Sequence, residues 1–522
     1  MKFRQLIIGI LCILLATGAK AGKIFIPMDA TGQKNHLKAY GIAYAAMKEG
    51  IKIDWLLNYK GGSFAIDDDG DIADLCAQRG VTYKSISEEE YENIVKTIKE
   101  SSFNGQVIKL EKAPRIAVYT PLNKEPWDDA VTMALTYAEI PFDKLYADEV
   151  LAGDLAKYDW LHLHHEDFTG QYGKFWISYR NTSWYQNDKS TMETIATNHG
   201  FGKVSALQLA VVKKIKDFVA SGGNLFAMCS ATETFDIALA ADGLDICDTP
   251  FDGDPPDKYA NGSLDYDNCF AFKGFTAVTN PFSPAFSDID FSNMEVPENQ
   301  DYFTLIARPA KENPVAAMLC QNHVTTIKGF MGQTTAFRKA LLKSKVMILG
   351  ENLPINGGGY IDSQYNNGIK YIHGVYGKGT WTFYGGHDPE SYKHLVGAPP
   401  TDLNQFPNSP GYRLILNNVL LPAANITPSL KNTSPVSKTA DTTSDNVKMY
   451  SDPEDNELIF IFTPVSKTDK KNNNVTLVNA SGKEVFNQSY STPKVSVDLN
   501  NLPAGMYTVK VNSSYVGKVA KE

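Results

Sequence analysis

Short apolar runs alternate with stretches of helical periodicity from Lys23 onward. Lys23 to Met28 (KIFIPM) reads as a short buried strand, Asn35 to Glu49 places apolar residues at helical spacing, and Ile51 to Leu57 reads as a second strand. Asp71 to Arg79 has a helical pattern and Val81 to Ser85 an extended one. Ser87 to Glu100 is helical again, with Ser87 as N-cap and Glu90 at the third helical position, the spacing of a capping box. Strands alternating with helices predict βαβ units on a parallel sheet, so residues 22–112 are expected to form an N-terminal α/β module.

A second series opens at Pro114. Arg115 to Thr120 (RIAVYT) predicts a strand, Trp127 to Glu139 a helix, and Asp159 to His164 (DWLHLH) a strand. Ser205 to Ala220 predicts an amphipathic helix that stops at Ser221-Gly222-Gly223. Asn224 to Met228 is an apolar strand, followed by a helix over Thr232 to Ala241. From about 242 to 297 both periodicities fade in favour of Asp, Pro, Gly and Phe, which reads as a long insertion or lid. Strands at Ile369 to His373 and Gly379 to Tyr384 precede a helix at Tyr412 to Leu420, so residues 113–422 are expected to form one larger α/β domain.

Residues 423–446 break the pattern. They are dominated by Ser, Thr, Asn, Pro, Asp and Lys, a linker composition. Beyond them, Glu457 to Phe462, Val475 to Val478, Val495 to Leu499 and Tyr507 to Val511 are short alternating segments, which predict a small β-sandwich over 447–522.

At the other end, Lys2 and Arg4 precede an apolar run from Leu6 to Ala16, and Ala19-Lys20-Ala21 supplies a small-residue cleavage pattern. This is the layout of a secretory signal peptide over 1–21, too short in its apolar part to span a membrane. The 522-residue chain has 50 basic and 59 acidic side chains, a net charge of −9. Loss of Lys2, Arg4 and Lys20 with the signal leaves 47 against 59, or −12. That balance argues against a nucleic-acid partner, and no second long apolar stretch predicts a membrane span after cleavage. An exported chain meets an oxidising setting with five cysteines: Cys76, Cys229, Cys247, Cys269 and Cys320. The odd number implies at least one thiol outside any internal disulfide.

Cys229 stands where an apolar strand meets a helix, in Ala227-Met228-Cys229-Ser230-Ala231. A sharp turn of this kind strains its residue and calls for small neighbours two positions to either side, here Ala227 and Ala231. A helix N-terminus favours a thiolate and offers backbone N–H groups to an oxyanion. A nucleophilic thiol needs a base, and Gly385-Gly386-His387-Asp388-Pro389-Glu390 supplies His387 with Glu390 or Asp388 to orient it. An ordinary buried thiol and a loop histidine remain the alternative.

A strand-elbow-helix cysteine followed by a late histidine and a nearby acid resembles the class I glutamine amidotransferase fold, over about Ala113 to Pro422. The ending Gly377-Lys378-Gly379 to Gly386-His387 is similar to its ThuA-like branch. The resemblance implies a flavodoxin-like parallel sheet and a cysteine-dependent, amidase-like hydrolase. The sequence departs from the usual G-x-C-x-G elbow, where both glycines are alanines, and from His-x-Glu, where Glu390 stands one residue further on. Lys23 to Pro422 also resembles exported proteins grouped as asparagine synthetase B, on IPMD, NHLKAYGIAY, WLLNYKGGSF, LHHEDFTGQYGKF and AMCSATETFD. The residues do not carry that activity. No N-terminal cysteine follows the cleavage site, Ser221-Gly222-Gly223-Asn224 follows a helix and lacks the Asp and Ser of a pyrophosphate loop, and no P-loop occurs.

The competing chemistry is a divalent metal, with no other cofactor expected. In His162-Leu163-His164-His165-Glu166-Asp167, His162 and His164 fall on one side of a strand and Asp167 could complete an open two-His-one-carboxylate set, which His199 and His387 could join. His164, His165, Glu166, Asp167 and Gly386 are candidates for contact with an unknown small-molecule, peptide or glycan ligand. The aromatics of Tyr172 to Tyr185, with Trp127 and Phe168, could line its cleft. A binding protein without catalysis is therefore the second reading. The acids Asp67, Asp68, Asp69 and Asp71 have the wrong glycine spacing for an EF-hand and read as a solvated loop.

The end of the chain, Leu499-Asn500-Asn501-Leu502-Pro503-Ala504-Gly505-Met506-Tyr507-Thr508-Val509, resembles a type IX secretion C-terminal sorting domain. The resemblance implies the secretion machinery as a partner and a place outside the cell or on its outer surface.

Overall fold

The computed structural model describes residues 22–121, 128–290, 296–355, 365–393, 395–424, 426, 447–452, 457–462, 473–479, 483–492, 494–503, 505–512 and 514–521. The expected signal peptide, Trp127 and most of the expected linker lie outside them.

Five strands open the chain: β1 (Lys23–Ile26), β2 (Ile53–Leu57), β3 (Ser63–Asp67), β4 (Lys84–Ile86) and β5 (Gln106–Leu110). They form one sheet in the order β4-β1-β3-β2-β5. Every pairing is antiparallel, which corrects the expected parallel sheet. The reason is local: a parallel crossover needs a dozen or more residues, and β2 returns as β3 through a turn of five. Asn58, Lys60, Gly61 and Gly62 all have positive φ in that turn, and Lys60-Gly61-Gly62 was its signal in the sequence. The helices arise where expected. Asn35 caps His36–Lys48, and the Ser87 hydroxyl accepts the Glu90 N–H at 3.2 Å to start Glu88–Lys99. Asp69, in the acidic loop, caps Gly70–Gln78.

The large sheet has ten strands: β6 (Ile116–Tyr119), β7 (Asp143–Leu145), β8 (Trp160–Leu163), β9 (Asn224–Met228), β10 (Tyr302–Leu305), β11 (Thr326–Lys328), β12 (Phe337–Arg338), β13 (Met347–Asn352), β14 (Gly368–Tyr376) and β15 (Gly379–Tyr384). Its order is β11-β10-β13-β14-β15-β9-β8-β6-β7, with β12 beside β14. The half from β15 to β7 is parallel and the half from β11 to β15 antiparallel. The sheet is mixed, not parallel throughout as expected, because β14 turns straight back into β15 through Gly377 at φ +60°. The stretch 242–297 is not a loose lid in its described part. Phe270, Phe272, Phe275 and Phe286 are buried in the core, and Asp236 accepts the N–H groups of Phe270, Ala271 and Phe272 at 2.7–2.9 Å.

The two sheets share a core that runs from Ile24 to Ala423. Its polar fastener is Arg413, fully buried in helix Pro410–Leu420. The guanidinium donates to the Met28 carbonyl (2.9 Å), the Gly61 carbonyl and the Tyr40 hydroxyl (3.0 Å). It thereby ties the ends of β1 and the β2–β3 turn to the large sheet's helix layer.

The C-terminal region holds seven more strands in two antiparallel sheets. One runs β16 (Val447–Asp452), β17 (Glu457–Phe462), β20 (Lys494–Asp498); the other runs β19 (Glu484–Tyr490), β18 (Asn473–Asn479), β21 (Gly505–Val511), β22 (Ser514–Lys521). Val475, Leu477, Val497, Val509 and Phe460 meet between them as a sandwich core. Among the described residues no helix is long and apolar enough to cross a membrane.

Candidate functional site

Three adjacent parallel strands, β8, β9 and β15, end on one crest, the edge where α/β proteins place ligands. His164 and His165 leave β8, Cys229 leaves β9, and Gly385, Gly386 and His387 leave β15. The Cys229 N–H donates to the Gly386 carbonyl (3.1 Å) and the Ala231 N–H to the His164 carbonyl (3.0 Å), so the three strand ends are sewn together. Gly386 needs to be glycine. Its φ is +102°, and a Cβ there would lie 2.5 Å from the Phe330 ring.

The imidazoles gather on this crest. The His164 and His387 rings are 4.3 Å apart between centroids, His164 and His165 5.3 Å, and His165 and His387 5.9 Å. One ring nitrogen from each lies within 4.8 Å of the other two. His164 is fully buried; its Nδ1 faces Asp129 Oδ1 at 3.4 Å, and its Nε2 has no hydrogen-bond partner among the described residues.

Asp129 is the residue that sequence reasoning missed. It caps helix Ala130–Tyr137, accepting the N–H groups of Val131 (2.7 Å) and Thr132 (2.9 Å). Burial works to raise its pKa, but the His162 and His164 rings outweigh that and hold its carboxyl well below the usual carboxylate range. The available signal was an N-cap aspartate opening the first helix after a parallel strand.

The expected metal set of His162, His164 and Asp167 is not assembled. His162 is a supporting group: its ring nitrogens contact the Phe226 carbonyl oxygen (3.2 Å) and Asp129 Oδ2 (3.1 Å). Burial pushes this imidazole below its ordinary pKa. Asp167 instead holds the following loop, accepting the Thr169 N–H and hydroxyl and the Gly173 N–H. His199 is elsewhere on the surface, paired with Asp148 at 2.7 Å. Glu166 accepts the His164 N–H at 2.8 Å, and burial pushes its carboxyl up to about 8.

The expected Cys229–His387 pair shares the crest without forming a bond. Cys229 has the positive φ of an elbow, +51°. No hydrogen bond joins its Sγ to His387 among the described residues; the sulfur accepts the Gln333 N–H at 3.3 Å. Burial pushes the thiol up to about 11, against smaller lowering effects of the Gln333, Thr334 and Ser230 N–H groups. Asp388 does not orient the imidazole either. It is fully buried and accepts the hydroxyls of Thr401 (2.6 Å) and Tyr412 (2.9 Å) and the Glu390 N–H (2.9 Å). The five cysteines among the described residues form no disulfide. A thiol at about 11 holds roughly a hundredth of the thiolate of a free cysteine at neutral pH, so Cys229 is expected to react with iodoacetamide at least ~100-fold more slowly than free cysteine. Peptide mapping after timed alkylation measures this, and labelling at the free-thiol rate would restore the nucleophile.

A cavity of about 230 Å³ opens beside His165. Tyr146, Tyr172, Phe175, Trp184 and Tyr185 line it with Glu166, Asp167 and Asp188. Of the aromatics expected to line a cleft, Tyr172, Phe175, Trp184 and Tyr185 line this cavity, Trp176 and Tyr179 do not, and Phe168 is buried against Tyr119 and Phe235.

Residues 448–521 match the family described as the secretion system C-terminal sorting domain. The chain is an exported protein, bound for the cell surface or the extracellular space. None of the curated proteins matches it. Among solved structures it is similar to a Bacteroides vulgatus protein with an immunoglobulin-like β-sandwich fold, at 15% identity over 16% of this chain and 90% of that one, with a TM-score of 0.13. A cytoplasmic protein of Salmonella typhimurium aligns at 10% identity over 60% of this chain and 99% of that one, with a TM-score of 0.27. A β-galactosidase of Bacillus circulans aligns at 12% identity over 81% of this chain and 44% of that one, with a TM-score of 0.25. Overlaps this low transfer neither fold nor activity.

Proposed function

We propose that the exported chain is a metal-dependent hydrolase whose centre is His164, His165 and His387. The observation that carries this reading is the convergence of three imidazole nitrogens on the crest, one of them buried without a hydrogen-bond partner. Tetrahedral zinc takes imidazole nitrogens at about 2.0–2.1 Å, so the three rings need only draw together modestly to hold it. Asp129 faces the other nitrogen of His164, the carboxylate–histidine arrangement that fixes a ligand's tautomer and raises its basicity. His164, His165 and His387 would hold the ion and leave a coordination position open, and zinc there would supply Lewis-acid polarisation of a substrate oxygen. The chain's own residues do the rest: the Gly386 turn aims His387, the Asp129 carboxylate aims His164, and the cavity beside His165 holds the substrate.

The test is zinc binding by EDTA-treated protein, read by equilibrium dialysis. Wild type is expected to bind one equivalent, and His164→Ala and His387→Ala to bind less than about a tenth of that with unchanged circular dichroism. Wild type without zinc, or variants that keep the full equivalent, would sink the reading.

A cysteine-dependent amidase is the second reading, favoured by the φ of +51° at Cys229 and by the backbone N–H groups around its sulfur. The alkylation rate described above decides against it or for it.

A further inference from the structure

The cavity beside His165 has a one-sided chemistry. Among the described residues three carboxyl side chains line it, Glu166, Asp167 and Asp188, and neither a lysine nor an arginine does. Two lysines stand close by, and backbone carbonyls hold both ammonium groups. Lys174 Nζ donates to the carbonyls of Val278 (2.6 Å) and Asn280 (3.3 Å), and Lys189 Nζ to those of Pro250 (3.3 Å) and Phe251 (2.9 Å).

Two further lining side chains carry a buried polar atom with no hydrogen-bond partner among the described residues. Gln208 is buried and lines the cavity; its amide nitrogen is spent, since Nε2 donates to the Asp167 carbonyl at 3.1 Å. Its Oε1 has no hydrogen-bond partner among the described residues. The hydroxyl of Tyr185, on a residue only 3% exposed, is in the same position. A buried polar atom left without a hydrogen bond costs about 1–3 kcal/mol, and both residues line the cavity.

The walls are aromatic and meet edge to face. Phe175 and Trp184 cross at 78° with centroids 5.5 Å apart, Trp184 and Tyr185 at 79° and 6.0 Å, and Tyr172 and Tyr185 at 66° and 6.2 Å. Rings set at such angles turn their π faces in different directions, and an aromatic face attracts an ammonium ion. The protein already makes one such contact itself, with Lys189 Nζ 5.1 Å from the Tyr172 ring centre.

We propose that this cavity binds a small organic cation, a molecule carrying an amine or ammonium group. The proposal deepens the hydrolase reading and rests on it in one respect only, that the amine-bearing molecule is the substrate of the neighbouring histidine centre. Asp188 supplies the counter-charge, the aromatic rings supply cation–π attraction, and Gln208 Oε1 accepts an N–H group.

Calorimetric titration of the mature chain with matched probes tests this. Glucosamine and benzylamine carry the ammonium group; glucose and benzyl alcohol are their neutral counterparts. Each is titrated into EDTA-treated and zinc-loaded protein. At least one ammonium probe is expected to bind ~10-fold or more tighter than its neutral counterpart in the EDTA-treated protein. Asp188→Asn is expected to erase the preference, and Trp184→Ala to weaken the ammonium probe ~10-fold. Equal affinity for charged and neutral probes, or no binding of any probe at about 10 mM, overturns the proposal. Since this arm contains no metal, its failure is separate from failure of zinc binding: an amine preference without zinc uptake sinks the histidine centre alone, and zinc uptake without an amine preference sinks this inference alone.

Discussion

Arg413→Ala is expected to destabilise the α/β body by about 3–5 kcal/mol, the range for breaking a buried charged network. The residue is fully buried, and its guanidinium supplies donors to the Met28 and Gly61 carbonyls and the Tyr40 hydroxyl. Alanine would take a donor from three acceptors, of which the Met28 carbonyl keeps its contact with the His36 ring, and leave a void the size of the lost side chain. Tyr40 would lose more than one contact, because its hydroxyl also donates to Asn417, which in turn donates to the Leu319 and Gln321 carbonyls. Arg413→Lys is expected to recover little, since a single ammonium cannot reach carbonyls on two loops and a hydroxyl on a third element as a planar fork does. Urea unfolding combined with hydrogen exchange measures the effect. The exchange should rise first in β1, β2 and β3, the strands whose ends Arg413 holds. A loss below about 1 kcal/mol would show that the fastener is dispensable.

The second large effect is a pH-dependent one at the same place. His36 and His323 stack at 4.3 Å between centroids, next to Arg413. Burial chiefly, and then the guanidinium, lower His36 from 6.5 to about 4; burial, then His36 and Arg413, lower His323 to about 2. Asn408 and the Met28 carbonyl contact the His36 ring and pull the other way, without prevailing. A histidine depressed in the folded state stabilises it above the unfolded pKa, and that contribution is lost as pH falls toward the folded value. Between pH 6.5 and 4 the unfolded chain therefore binds more protons at these two positions. Buried acids slope the opposite way over overlapping ranges, with Glu233 pushed up to about 8 and Asp236 to about 6 by burial. The histidine contribution is thus read as a difference. His323→Phe is expected to gain about 3 kcal/mol on wild type between pH 7.5 and pH 4.5, by urea unfolding at both pH values. A difference that does not change with pH would mean that His323 takes up its proton as readily in the folded protein as in the unfolded chain.

Much of the framework was legible in the residues. Asn224 to Met228 is β9 residue for residue, Gly379 to Tyr384 is β15, and Glu457 to Phe462 is β17, because each is a compact apolar run closed by turn residues. The strand direction was not legible. Parallel and antiparallel strands bury the same apolar residues, and only the Lys60-Gly61-Gly62 and Gly377 turns distinguish them. Strands such as β10, β11 and β12 escaped because they are short and half polar, stabilised by neighbours distant in the chain. The candidate site was half visible. His164, His165 and His387 were singled out, but their meeting depends on β9 lying between β8 and β15, a matter of sheet order. Asp129 was hidden because its local role as a helix cap is what any N-cap aspartate does; its second role appears only when the strand ends come together.

The unpaired thiols bear on when the chain can finish folding during export. Cys76, Cys229, Cys247 and Cys269 are buried, Cys320 is half-buried, and none is bonded to another. A thiol exchanges or oxidises only while it can be reached, and an oxidising compartment offers partners to any that linger outside. An incomplete chain with five accessible thiols has wrong disulfides open to it, whereas the finished core has none. The journey outward is therefore a race between closure of the α/β core and the cell's own oxidants, and the native protein is the outcome in which closure wins.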